Sequence, residues 1–252
     1  MSLFPNELSY NFLCKEFKKT PNGSTCPREG YINGVHYISK CGTFQSLVGA
    51  KQTSSDLHVH NEFLADCLIR KFGFNVPESR EYKAIENNQI IRLSKFLEPT
   101  RPLYHVWFYG TKEEKKEVQK QVIDIYPLQY VIGGLDTFQN DNVLVTNDTK
   151  LWYVDNGASL GWRAQGGKNL WFWDRIDPND KKIGFLSLKD HQSQKLLKSI
   201  LSGVNEDILW AKMALFDKEK FIMNLPKEKD YKSDKINKYI DALINEAKKH
   251  IK

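Results

Sequence analysis

The chain has 252 residues, of which 40% are apolar and 12% aromatic, a composition typical of a folded globular protein rather than a disordered one. The sequence contains no run of about 18 apolar residues, so a membrane-spanning helix is not expected. The four cysteines have neither CxxC nor zinc-site spacing, and the first residues do not resemble a signal peptide. These features predict a cytoplasmic protein with reduced thiols. The net charge of +6 favours anionic ligands such as nucleotides, although a lysine-rich solvated surface also explains it.

The first forty residues predict a short helix followed by a β-hairpin. The helix is expected over about 7–17, and Asn33-Gly34 marks the turn of a hairpin over 31–39 that Lys40 closes. Between them lies the loop Gly23-Ser24-Thr25. Its backbone amides and hydroxyls could meet phosphate oxygens, or it could be an ordinary surface turn.

A second helix is expected over 56–72, and it carries one acidic residue within an apolar stripe. This residue, Glu62, would be costly to bury unless its carboxylate were paired. Lys40 is the candidate partner, and a solvated glutamate is the alternative. Lys51 is a rival lysine, but it lies in a polar loop rich in Ser and Thr rather than on a strand.

A second hairpin is expected over 76–85 and 89–97, and prolines end it. Pro99 and Pro102 follow within a few residues, and proline is poorly tolerated inside a sheet. The sequence therefore predicts a domain boundary near Glu98. The expected organisation is a small α+β unit over 1–98 and a mainly helical unit over 99–252.

The second unit is expected to begin with a long helix and to end with three more. Thr111 and Glu114 form a capping-box pattern at the start of the first helix, and Pro127 is expected to kink or divide it. The three C-terminal helices are predicted over about 189–201, 206–223 and 233–251.

Between these helices, a predicted hairpin is bracketed by acidic and amide side chains. Its strands are expected at 143–145 and 151–154, with a polar turn between them. The bracketing residues are Asp136, Asn140, Asp141 and Asn142 before the hairpin and Asp155 after it. Oxygen ligands gathered at one end of a hairpin suit Mg²⁺. The alternative explanation is that these Asn and Asp residues are present only because ordinary turns favour them.

These residues carry a resemblance to a known family. Asn142-Val-Leu-Val and Asp155-Asn-Gly resemble the catalytic loop and metal-binding hairpin of protein-kinase-like enzymes, in particular the atypical branch with HipA-type toxin kinases and phosphatidylinositol kinases. The order of Lys40, Asn61-Glu62 and Phe-Gly-Phe-Asn-Val-Pro-Glu resembles the HipA-type pattern. The stretch DNGASLGWRAQG is also similar to kinase-like domains found beside phage-related toxin modules.

The resemblance implies a two-lobed fold and an ATP- and Mg²⁺-dependent phosphotransferase that acts on protein Ser/Thr hydroxyls. Asp136 would be the catalytic base, although it precedes Asn142 by one residue more than the usual kinase interval, and Asp141 competes with it. Asn142 and Asp155 would hold the metal. The resemblance also implies the nucleotide-binding residues. Lys40, held in place by Glu62, would contact the phosphates, and the loop of Gly23, Ser24 and Thr25 would cover them. Lys95, Phe96 and Leu97 would form the hinge that binds adenine.

The implied partners are ATP and a protein substrate, which would be a host protein if the chain is a toxin-type effector delivered into a host cytosol. Nucleic acid is not expected as a partner. Other functions on the same fold stay open. A pseudokinase would keep the fold as a binding or scaffold module, and a lipid or small-molecule kinase or a nucleotidylating enzyme would use the same metal residues with another acceptor.

Overall fold

A computed structural model describes residues 3–20, 27–41, 52–134, 137–139, 141–157, 159–161, 195–225, 231 and 233–251, with side chains in its first long helix described from residue 56 onward. Several residues that the sequence singled out lie outside the described residues; these are Gly23, Ser24, Thr25, Lys51, Asp136 and Asn140. The described residues form an α+β fold with a small β-rich lobe followed by a mainly helical lobe.

The first lobe contains an antiparallel sheet with the strand order β1-β2-β3-β5-β4. The strands are β1 (Lys18–Lys19), β2 (Arg28–Ile32), β3 (Val35–Cys41), β4 (Ser79–Lys83) and β5 (Ile90–Lys95). The predicted turn at Asn33-Gly34 joins β2 to β3, and both residues have the positive φ angles that an Asn-Gly turn requires. In the register of β3 with β5, Lys40 lies directly opposite Arg92, so both side chains point to the same face of the sheet.

Helical segments cover both faces of this sheet. Helix α1 (Tyr10–Glu16), capped by Ser9, lies on one face and contributes Leu13 to a buried cluster with β3 and β5. Helix α2 (Gln52–Lys71) lies on the face that carries Lys40 and Arg92. The apolar side of α2 also packs into the core of the helical lobe, so this helix is anchored to both lobes.

The helical lobe is built around one long helix. Its described helices are α3 (Leu103–Tyr109), α4 (Lys112–Ile132), α5 (Lys195–Leu201), α6 (Glu206–Ala214), α7 (Lys218–Asn224) and α8 (Ser233–His250). The predicted capping box of Thr111 and Glu114 opens α4. No helix in the described part of the chain is long and apolar enough to cross a membrane.

The helices of the structure differ from the predicted ones in three places. Pro127 does not divide α4, because every residue from 125 to 132 is buried and this packing offsets the hydrogen bond that proline cannot donate. The helix expected over 206–223 is two helices, since the Asp217 side chain accepts from the Lys220 amide and caps the start of α7. Helix α3 was not predicted at all.

A small sheet of order β6-β7-β8 contains the predicted hairpin. Its strands are β6 (Thr100–Pro102), β7 (Val143–Thr146) and β8 (Leu151–Tyr153). The segment that follows α2 is fastened to this hairpin, because the Tyr153 amide donates to the Asn75 carbonyl at 3.0 Å and the Asn75 carboxamide donates to the Leu151 carbonyl at 3.0 Å. The end of α2 is therefore held at a fixed place relative to the residues that follow β8.

Candidate active site

A cavity of about 1220 Å³ lies between the first sheet and the β7–β8 hairpin. Its walls combine residues from β3 and β5, from α3, and from the loops at the base of the hairpin. The predicted site residues that line it are Lys40, Lys95, Phe96, Leu97, Asn142 and Asp155. The structure thus brings side chains from distant parts of the sequence to one cavity.

Lys40 is buried at the back of this cavity and contacts two carboxylates. Its Nζ atom lies 2.7 Å from Glu62 Oε1 and 3.1 Å from Asp155 Oδ2. Burial acts to lower the pKa of Lys40, but the Asp155 and Glu62 carboxylates outweigh that effect, so the pKa is raised above its ordinary value. Lys40 therefore carries its charge throughout the physiological pH range.

Glu62 lies behind Lys40, with no surface exposed to solvent. It sits on α2 and does not itself line the cavity. Its Oε1 atom is also 3.1 Å from Nη1 of Arg92. A fully buried carboxylate is tolerable only with such compensation, and here two cations share one oxygen.

Asp155 lies two residues after the end of β8, and 41% of its side chain is exposed at the cavity wall. Burial acts to raise the pKa of Asp155, but the Lys40 ammonium outweighs it and holds the pKa below its usual value. The Gly157 amide donates to Asp155 Oδ1 at 3.3 Å. A Cβ atom at Gly157 would lie 2.5 Å from His58 Cε1, so glycine allows this loop to approach α2 closely.

Asn142 is fixed beside Asp155 by backbone hydrogen bonds across the base of the hairpin. The Val154 amide donates to the Asn142 carbonyl at 2.9 Å, and the Asn142 amide donates to the Gln139 carbonyl at 3.0 Å. One carboxylate and one carboxamide at a cavity wall fit Mg²⁺, which usually takes few protein ligands and completes its shell with water and phosphate oxygens. Among the described residues there is no group of three or more His, Cys, Asp or Glu that could hold a metal by itself.

The ends of the loop that carries Asp136 are fastened to α4. The Gly134 amide donates to the Gln129 carbonyl at 3.0 Å, and Thr137 Oγ1 donates to Gln129 Oε1 at 2.9 Å. Thr137 and Gln129 are both buried. Asp141, the rival for the role of base, lines the cavity.

The predicted hinge, residues 95–97, runs along the cavity, but not all of its backbone donors are available. The Lys95 amide donates to the Glu78 carbonyl at 2.9 Å, and the Phe96 amide donates to the His36 carbonyl at 3.0 Å. The Leu97 amide has no partner among the described residues. Of the three amides, that of Leu97 is the one able to donate to a bound ligand.

The sequence analysis missed the residues behind Lys40. Arg92 is 1% exposed, and besides its contact with Glu62 its Nε atom donates to Asp66 Oδ2 at 2.9 Å. Asp66 lies one helical turn beyond Glu62 on α2. An arginine in the middle of the apolar strand IIRLSK, and two acids four residues apart on a helix, were the signals that could have indicated a buried ionic cluster.

Comparisons with known proteins bear on the fold. No protein-family model matches the chain, and no curated protein matches it. A crystal structure of a Helicobacter pylori proinflammatory kinase, CtkA, is similar to it with a TM-score of 0.50 and 11% sequence identity, over 94% of this chain and 95% of that chain. At this identity the similarity shows the fold: the chain has a two-lobed, protein-kinase-like fold.

Proposed function

We propose that this protein is an ATP- and Mg²⁺-dependent phosphotransferase that acts on protein Ser/Thr hydroxyls. One observation carries the proposal: Lys40 contacts both Glu62 and Asp155 at the wall of a cavity that Asn142 also lines. A kinase requires such a lysine next to a metal-binding carboxylate, because the transferred phosphoryl group is stabilised by positive charge and correct placement rather than by covalent chemistry.

The residues on the first lobe would bind the nucleotide. Lys40, kept in place by Glu62, would donate to phosphate oxygens, and the Leu97 amide would donate to the adenine. Gly23, Ser24 and Thr25 remain the predicted cover over the phosphates. We also propose the division into 1–98 and 99–252, since the sheet of the first lobe ends at Lys95 and β6 already pairs with β7.

The residues on the second lobe would bind the metal and the acceptor. Mg²⁺ held by Asn142 and Asp155 would neutralise charge on the phosphates. Asp136 would accept the proton of the acceptor hydroxyl, and the next residue, Thr137, is bonded to Gln129 of α4. We further propose a role as an effector acting on a host protein. The similarity to a kinase that is described as proinflammatory supports that role.

The test is incubation with labelled ATP and Mg²⁺, alone and with a host-cell lysate, followed by intact mass and mapping of the phosphorylated sites. ATP binding is followed in parallel by thermal shift with Mg²⁺ and with EDTA. Asp155→Asn should abolish the metal-dependent part of the shift and the transfer while leaving the unliganded protein folded. The matched control is Asp148→Asn, which removes an exposed aspartate in the turn of the same hairpin.

Each outcome has a distinct meaning. A metal-dependent shift that persists in Asp155→Asn would rule out the metal assignment. Wild-type protein that binds ATP with Mg²⁺ but transfers nothing to any protein would favour a pseudokinase or a kinase for another acceptor. No effect of ATP on the wild-type melting temperature would overturn the proposed function.

A further inference from the structure

The charged residues at the back wall of the cavity form a closed ring with the segment that is proposed to bind the metal. Lys40 contacts Glu62 at 2.7 Å, and Glu62 contacts Arg92 at 3.1 Å. Arg92 Nε donates to Asp66 Oδ2 at 2.9 Å. Asp66 Oδ1 in turn accepts from the carboxamide of Asn156 at 2.8 Å.

The covalent chain closes the ring, because Asn156 directly follows Asp155, whose Oδ2 atom is 3.1 Å from Lys40. Within the ring, the Asp155 segment is therefore tied to the first lobe by two routes, and outside the ring the Asn61 carboxamide of α2 also donates to the Ser159 carbonyl. One route is the contact between Lys40 and Asp155 inside the cavity. The other runs through Asp66 and Asn156, which are both fully buried and do not line the cavity.

Ligand binding would act on these two routes differently. Phosphate oxygens compete for Lys40 and a metal ion competes for the Asp155 carboxylate, so the contact between these two residues is the one that a bound nucleotide must loosen. The bond from Asn156 to Asp66 uses atoms that no ligand in the cavity reaches. It can persist when the first route opens.

The arrangement of the two Asp66 oxygens supports this separation. Oδ2 accepts from Arg92 and Oδ1 accepts from Asn156, so one carboxylate links strand β5 to the segment after β8. A buried carboxylate with charge-assisted hydrogen bonds on both oxygens has one strongly favoured orientation. Arg92 thereby fixes the direction in which Asp66 holds Asn156.

We propose that Asp66, Arg92 and Asn156 are positioning residues that keep the Asp155 main chain in place after Lys40 has turned to the nucleotide. This inference rests on the proposed function, since it assigns the purpose of the second route to metal binding at Asp155. Groups that orient a metal ligand without touching the metal commonly account for 10- to 100-fold in affinity.

The test compares Asn156→Ala with Asn75→Ala. Both substitutions remove a carboxamide that donates near the hairpin. The Asn156 carboxamide donates to Asp66 at 2.8 Å and more weakly to the Tyr153 carbonyl at 3.4 Å, whereas the Asn75 bond goes to the Leu151 carbonyl and lies outside the ring. The measurement is the Mg²⁺ concentration that gives half of the ATP-dependent thermal shift. Asn156→Ala should raise it by about 10-fold or more. Asn75→Ala keeps the backbone hydrogen bond from the Tyr153 amide to the Asn75 carbonyl and should leave the Mg²⁺ concentration unchanged. ATP binding in EDTA should be equal in both variants.

A second measurement needs no ligand. The Ser159 amide donates to the Asn156 carbonyl at 3.1 Å, so its hydrogen exchange reports how firmly the segment is held. Exchange at Ser159 in the unliganded protein should be faster in Asn156→Ala than in Asn75→Ala. If Asn156→Ala does not fold, Asn156→Ser, which keeps a short donor, takes its place in both measurements.

The outcomes separate this inference from the proposed function. If wild-type protein binds Mg²⁺ and ATP but Asn156→Ala needs no more Mg²⁺ than Asn75→Ala, the positioning role is wrong and the proposed function stands. If wild-type protein shows no metal-dependent shift, the proposed function fails. In that case the exchange measurement still tests whether the bond from Asn156 to Asp66 holds the Asp155 segment in place. Equal exchange at Ser159 in the two variants would show that it does not.

Discussion

Replacing Lys40 by methionine tests the centre of the site, and the structure predicts both the stability and the activity of the variant. Removing one partner of a buried ion pair commonly costs about 3–5 kcal/mol, because the other charge is left without compensation. Here Glu62 keeps Arg92 as a second cation at 3.1 Å, and Asp155 is 41% exposed and can be hydrated. We therefore expect a smaller loss, about 1–3 kcal/mol, the range for a buried polar group that loses one partner.

The activity should fall much further than the stability. If Lys40 is the phosphate contact, Lys40→Met should lower phosphate transfer by about 100- to 1000-fold, the scale for one preorganised electrostatic contact. Urea unfolding gives the free energy of unfolding, and single-turnover transfer with saturating ATP gives the rate. Lys51→Met is the control and should change little.

Two results would refute this reasoning. Full activity in Lys40→Met together with a dead Lys51→Met would show that the wrong lysine was chosen. A loss of stability larger than about 5 kcal/mol would show that Arg92 does not compensate Glu62, since that value is the upper end for an uncompensated buried charge.

Three further predictions concern the same cavity. Asp136→Ala should keep ATP binding with Mg²⁺ but lose nearly all transfer, whereas Asp141→Ala should retain turnover; the reverse pattern would exchange their roles. Gly157→Ala should destabilise the protein by about 1–3 kcal/mol in urea unfolding, because the added methyl group collides with His58, and unchanged stability would refute the close packing. The stability difference between wild type and Lys40→Met should be constant from about pH 6 to 9 in urea unfolding; a difference that declines within this range would show that Lys40 or Asp155 titrates there.

The sign of that pH dependence follows from the two shifted groups. The pKa of Asp155 is lowered, so its contribution is present above the ordinary aspartate value and is lost as the pH falls through the folded-state value. The pKa of Lys40 is raised, so its contribution is present below the ordinary lysine value and is lost as the pH rises through the folded-state value. Between these limits neither group changes charge.

Local patterns predicted the parts of the fold that depend on neighbouring residues. Turn and cap chemistry acts over a few residues, so three such features could be predicted from the sequence. They are the Asn33-Gly34 turn, the capping box of Thr111 and the hairpin after Asn142. The lysine and glutamate that contact each other in the site could also be chosen from the sequence, since a carboxylate in an apolar stripe requires a partner.

The ring could not be predicted because it depends on register and packing between distant elements. Asp66 was not singled out from the sequence, and Asn156 was considered only as part of the Asp155-Asn-Gly motif. Their contact appears only when α2 and the segment after β8 are packed together, 90 residues apart in the chain. Helix α3 was missed for a related reason, since its buried Leu103 and Val106 are too few to give a helical period.

The charges of the ring also indicate which kind of ligand would balance them. With its three carboxylates ionised, the ring has two positive charges, on Lys40 and Arg92, and three negative ones, on Glu62, Asp66 and Asp155, so its net charge is −1. Glu62 and Asp66 are fully buried and each is bound to Arg92, whereas Asp155 shares Lys40 with Glu62 and reaches the cavity, so the deficit of positive charge lies nearest to Asp155. When Lys40 turns to a phosphate, that deficit at Asp155 grows. A divalent cation that arrives with the nucleotide would remove it, so metal and nucleotide should bind with positive coupling, each raising the affinity for the other.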